Sequence, residues 1–260
     1  MTLAGLDAGI LGPALLAGLL VLATHVPLGM KVLERGIVFI DLAIAQIAGI
    51  GVIAADVMGF EAQGWAVQIS ALSAAALGAL LLTWTERRWP EIQEALIGVL
   101  FVIASCTGLL LLAGNPHGGE HLKDLLVGQI LWVSSEQLLQ MAVLTILVLA
   151  IWFGTGQRLG RAGFYLLFAL AVTASVQLVG VYLVFASLII PALATRAWLR
   201  RRLPVAWALG ALAYLLGLAL SAVFDLPSGA VVVLAMAGLG LLLAACSKIR
   251  PQTCSADRQP

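Results

Sequence analysis

The chain has 260 residues, 62% hydrophobic and 10% charged, with a mean hydropathy of +1.08 and a formal net charge of +1. Soluble domains carry about a quarter charged residues, so this composition excludes a water-soluble fold and reads as a polytopic membrane protein. The basic residues are spread over short connections and form no patch, which leaves no footing for nucleic acid, and Cys106, Cys246 and Cys254 have neither metal spacing nor an even count.

In chain order, the opening MTLAGLDAGI lacks the positive stretch of a cleaved signal, so the first apolar run is read as a retained helix. Apolar runs between charged or Pro/Gly-rich breaks predict spans at about 8–30, 36–58, 64–84, 94–114, 137–154, 163–196, 203–223 and 228–247. Lys31 and Arg35, Arg87 and Arg88, Arg158 and Arg161, Arg196 with Arg200 to Arg202, and Lys248 with Arg250 belong on the cytoplasmic side by the positive-inside bias, which puts the N-terminus outside and the C-terminus inside. Trp84, Trp89, Trp152 and Trp198 fall at span ends, where amphipathic rings settle. Residues 1–247 therefore read as one transmembrane domain and 248–260 as a short polar cytoplasmic tail.

The 163–196 run is too long for one crossing. For Arg161 and Arg196 to share a face it must go in and come back, as two short helices broken near Gly180 or as a re-entrant pair. Within it, Gln177, Gly180 and Pro191 interrupt an apolar segment with an amide, a flexible point and a helix breaker. Such features persist in lipid where the freed backbone faces protein or a wet path, so these three are candidate gating positions; a packing kink without ligand is the plainer alternative. The expected fold is thus an all-α helical bundle of about 8–9 transmembrane segments.

Polar side chains at membrane depth are functional candidates because each is costly unless paired or wetted. The second predicted span holds Asp41 and Gln46, and His25 lies near the end of the first. Asp41 either pairs with Arg35 or borders a substrate path, Gln46 either ties a neighbouring helix or lines that path, and His25 is either a packing residue or a ligand. The outer loop GNPHGGEHLKD offers His117, Glu120 and His121 around paired glycines, two nitrogens and an oxygen that suit zinc or a similar divalent ion, with a solvated loop as the alternative. Its HxxEH spacing is not that of a zinc peptidase, since Pro116 and the glycines break any helix there. No Walker loop occurs, so the chain does not bind ATP by that device, and an intramembrane enzyme is disfavoured because no nucleophile and base lie at a common depth.

Three segments in order carry a resemblance. LVGVYLVFASLIIPALAT (178–195), LALSAVFDLPSGAVVVL (218–234) and LGMKVLERGIVFIDLAIAQIAGIGV (28–52) are similar to motifs of the zinc/manganese ABC-importer permeases, the ABC-3 metal-transport permeases. The resemblance implies a multi-pass homodimeric subunit of a bacterial plasma membrane, surrounded by lipid. It would import zinc or manganese with ATP hydrolysed on a cytoplasmic ABC ATPase and cargo delivered by an extracytoplasmic metal-binding protein. It also implies that Asp41 and Gln46 with His25 border the route, and that His117, Glu120 and His121 face the donor. Two departures stand out: Gln46 occupies the family's histidine position, with Asp41 displaced by one from the aspartate position. The segment between the fifth and sixth spans is also contracted to GTGQRLGRAGF, leaving Arg158 and Arg161 as the candidate ATPase contacts. The alternatives are a permease for another cation or small solute, and a non-transporting subunit for metal sensing or assembly.

Overall fold

The computed structural model describes residues 8–60, 64–112, 128–155, 159–198 and 201–249. Among them run nine α-helices: α1 (Ala8–Arg35), α2 (Ile40–Val57), α3 (Trp65–Arg88), α4 (Gln93–Leu112), α5 (Ser135–Thr155), α6 (Arg161–Val179), α7 (Val181–Ala194), α8 (Arg202–Phe224) and α9 (Ser228–Ile249). All but α7 are long and apolar enough to cross a membrane. The all-α polytopic bundle is the one expected, and no strand is present among the described residues.

Helix ends follow local chemistry. α1 continues through Pro13 and Pro27 to Arg35, beyond the predicted end at about 30, with Lys31 and Glu34 paired at 3.0 Å along its last turn. It stops at Gly36, whose φ of +68° supplies the left-handed residue that closes a helix, and α2 opens at Ile40, later than the expected 36. α5 starts with a reciprocal cap: Gln137 N–H donates to Ser134 Oγ (3.2 Å) and Ser134 N–H to Gln137 Oε1 (2.9 Å). α3 ends on Arg87 and Arg88, cations that favour the negative end of the helix dipole.

The 163–196 region is two helices, as its length required. Gly180 separates them with φ +81° and ψ 162°, a conformation closed to residues with a Cβ. The Arg35 guanidinium lies 4.2 Å above the Phe164 ring in the first turn of α6, while Arg202 donates to the carbonyl of Ala192 in the last turn of α7 (3.2 Å) and reaches Glu34 (4.0 Å). So α6 leaves from, and α7 returns to, the end of the bundle where α1 finishes. At about 1.5 Å per residue, α7 measures about 21 Å, short of a membrane's hydrocarbon core.

α6 is enclosed on most sides; it packs on α2 and α3, with Phe164, Tyr165 and Phe168 fully buried. α1 packs on α5, α7 and α8, α2 on α3 and α4, and α9 on α7 and α8. α4, α5 and α9 are peripheral, presenting Leu110, Ile146, Leu234 and Leu241 outward, as lipid contact requires.

Candidate functional site

Asp41 sits in the first turn of α2 and is 1% exposed. Neither carboxylate oxygen has a side-chain hydrogen-bond partner; the donors close to it are the main-chain N–H groups of Asp41 and Leu42 at the start of the helix. The expected alternative, a pair with Arg35, does not form: Arg35 is laid over Phe164, and the ion pairs among the described residues join Lys31 to Glu34, Arg202 to Glu34 and Arg161 to Glu86. The geometry explains this, since the turn at Gly36 sends Arg35 against α6 instead of back along α2.

Glu94 lies beside Asp41. Phe39 N–H donates to Glu94 Oε1 (3.3 Å), which brings the first turn of α4 against the start of α2, two residues from Asp41. Glu94 Oε2 is buried without a side-chain partner. The preceding residue, Gln93, is 3% exposed; its Nε2 donates to the Leu82 carbonyl (3.1 Å) and the Tyr165 hydroxyl (3.3 Å), leaving Oε1 buried and unpartnered. Glu94 and Gln93 were missed in the sequence because they read as the polar end of an apolar run. An acid in the first turn after Pro90 was the available signal.

Gln46 is half-buried on α2, five residues on from Asp41 and therefore rotated from it by about 140°. His25, fully buried on α1, is turned back on its own helix: Nδ1 lies 3.0 Å from both the Val21 carbonyl and Thr24 Oγ1, and Nε2 has no partner. α1 packs mainly on α5, α7 and α8, while α2 packs on α3 and α4. Among the described residues, no three His, Cys, Asp or Glu side chains gather as a metal-binding group.

At the opposite end of α2 lies a cavity of about 520 Å³, lined among others by Asp56, Gln68, Gln129, Gln140 and Gln177. Asp56 is fifteen residues from Asp41, about 22 Å along the helix axis. Gln177 therefore faces this polar cavity, with its Nε2 buried and unpartnered, three residues before the break at Gly180. Pro191 is buried inside α7 and provides no N–H for the Ser187 carbonyl. A second cavity, of about 400 Å³, is lined by Lys31, Arg35, Trp152 and Phe164 at the end where α1 finishes.

Arg161 is half exposed at the start of α6 and lies 3.9 Å from Glu86 of α3. His117, Glu120, His121 and Arg158 fall outside the described residues.

The comparisons with known proteins agree with this architecture. The chain is 28% identical over 244 residues to the manganese transport system membrane protein MntC of Halalkalibacterium halodurans, covering 85% of this chain and 82% of that one. It is 29% identical over 180 residues to a probable iron transport system membrane protein of Haemophilus influenzae, covering 61% and 66%. The fold is shared with the structure of PsaBC from Streptococcus pneumoniae in complex with Fab, with a TM-score of 0.72 at 22% identity over 89% of this chain and 90% of that one. The model of the ABC 3 transport family matches residues 7–160 and 154–247, nearly the whole length: the chain belongs to the ABC 3 transport family.

Proposed function

We propose that this chain is the membrane subunit of an ATP-driven importer of a divalent metal ion, zinc or manganese. As an ABC-family permease it is a transporter subunit, a multi-pass protein of the bacterial inner membrane. It works as one half of a homodimer, with ATP hydrolysed on a cytoplasmic ABC ATPase and cargo received from an extracytoplasmic metal-binding protein. The observation that carries this reading is Asp41: a fully buried carboxylate in a membrane-spanning helix, with no cation or side-chain hydrogen-bond donor of the protein opposite it. Such a charge costs several kcal/mol unless something positive reaches it, and a passing cation is that partner. The likeness to a manganese permease and a probable iron permease points to the same class of cargo.

In this reading cargo enters at the polar cavity beside Asp56 and Gln177, descends along α2 past Gln46, and leaves near Asp41. Gly180 and Pro191 let the short α7 move relative to α6. Arg161 contacts the ATPase. The test is uptake by proteoliposomes holding the permease with its ATPase and binding protein, supplied with radioactive manganese or zinc. ATP-dependent accumulation of either supports the proposal; accumulation of neither overturns it.

A further inference from the structure

The strongest unexplained feature is a group of buried oxygens at the start of α2 and α4. Both oxygens of Asp41, Oε2 of Glu94 and Oε1 of Gln93 are buried with no side-chain donor or cation against them. Asp41 is 1% exposed and Gln93 3% exposed, so water does not discharge the cost. The Glu94 carboxylate is fixed at this place by the Phe39 N–H, and the Gln93 amide is fixed by the Leu82 carbonyl, which accepts only from nitrogen and so determines which amide atom is left free. The carboxylates of Asp41 and Glu94 and the amide carbonyl of Gln93 are all acceptors. Several cations at this end of the bundle are engaged elsewhere: Arg35 on Phe164, Arg88 on Trp89, Lys31 and Arg202 on Glu34, Arg161 on Glu86.

We infer that Asp41 and Glu94 together form a cation site on the inner side of α2, built for a hard, oxygen-seeking divalent ion such as manganese in preference to zinc. The inference deepens the importer reading and rests on it. Carboxylate and carbonyl oxygens suit manganese and magnesium, whereas zinc gains most from imidazole and thiolate. His25, the one histidine among the described residues, is tied to Val21 on α1. Glu94 is then the second carboxylate of the site, on a different helix from Asp41. A change in the packing of α2 against α4 would open or close the pair, a means of releasing the ion.

The experiment is manganese binding to the full-length chain in lipid nanodiscs, read from the loss of the free-ion electron paramagnetic resonance signal. Wild type binds manganese; Glu94→Gln, which keeps an oxygen for the Phe39 N–H, weakens binding by about tenfold or more; Glu94→Asp retains most of it; and Glu91→Gln, a nearby exposed acid, binds as wild type. Binding by Glu94→Gln equal to wild type overturns the site, as does an absence of manganese binding in wild type, which would assign protons to the carboxyls. Displacement of manganese by an equal concentration of zinc overturns the preference. Manganese uptake that Glu94→Gln leaves unchanged sinks this site alone, whereas wild-type vesicles that accumulate neither metal sink the importer reading too.

Discussion

The hydroxyls of Ser187 on α7 and Tyr214 on α8 lie 3.0 Å apart, both fully buried. This bond anchors the short returning helix by its middle to a helix that spans. Tyr214→Phe leaves Ser187 without its partner and is expected to cost about 1–2 kcal/mol, the penalty for a buried hydroxyl left unsatisfied. Ser187→Ala costs about the same, and the double variant little more, because the two single changes remove one interaction. Thermal unfolding of the three variants in detergent checks this; additive losses would show that the hydroxyls act separately.

A closer contact joins α7 to α1. A Cβ on Gly29 would overlap the main-chain carbonyl of Leu188, which cannot rotate away as a side chain could. Gly29→Ala is therefore expected to force the two helices apart and to destabilise by about 1–3 kcal/mol. Gly12, on the same helix with open space around its Cβ direction, is the control: Gly12→Ala is neutral or mildly stabilising, since alanine is the better helix former. Equal stability of both variants by thermal unfolding would refute the close approach.

The break at Gly180 was legible because two independent signals agreed there: the length of the apolar run and the matching charge of its two ends, Arg161 and Arg196. The end of α1 was not, because Lys31 and Arg35 read as loop, whereas long basic side chains with apolar stems are compatible with a helix that continues past the lipid. At the site, Asp41 stood out as an ion inside an apolar helix. Its companion did not: Glu94 is placed by a hydrogen bond to Phe39, fifty-five residues away in sequence, and no periodicity within either helix encodes that contact. The cavity beside Gln177 is likewise assembled from separate segments, of which only the α6 contribution carried a local anomaly.

Asp41 sets stability against function. Replacing it with asparagine removes an uncompensated buried charge, so Asp41→Asn is expected to raise the unfolding temperature or leave it unchanged while lowering ATP-driven metal uptake by about tenfold or more. Gln46→Leu, on another face of α2, lowers uptake less and is close to neutral in stability. The opposed signs separate a functional carboxylate from a structural one. A loss of stability in Asp41→Asn, in step with lost uptake, would mean that the charge holds the fold.

Arg202 tests how α7 is held at its returning end. Its guanidinium donates to the carbonyl of Ala192 in the last turn of α7 and also reaches Glu34 at the end of α1. Carbonyls in a helix's last turn have no intrahelical donor, so this bond satisfies one of them and adds a favourable charge at the negative end of the helix. Lys31, by contrast, pairs only with the half-exposed Glu34 one turn away, a surface pair worth about 0–1 kcal/mol. Arg202→Gln should therefore destabilise more than Lys31→Gln, and its loss should resist salt, because a helix carbonyl is not screened as an exposed ion pair is. Unfolding midpoints at low and high salt provide the measurement. If high salt brought wild type down to the level of Arg202→Gln, the pair with Glu34 would be the main interaction, and the carbonyl contact would contribute little.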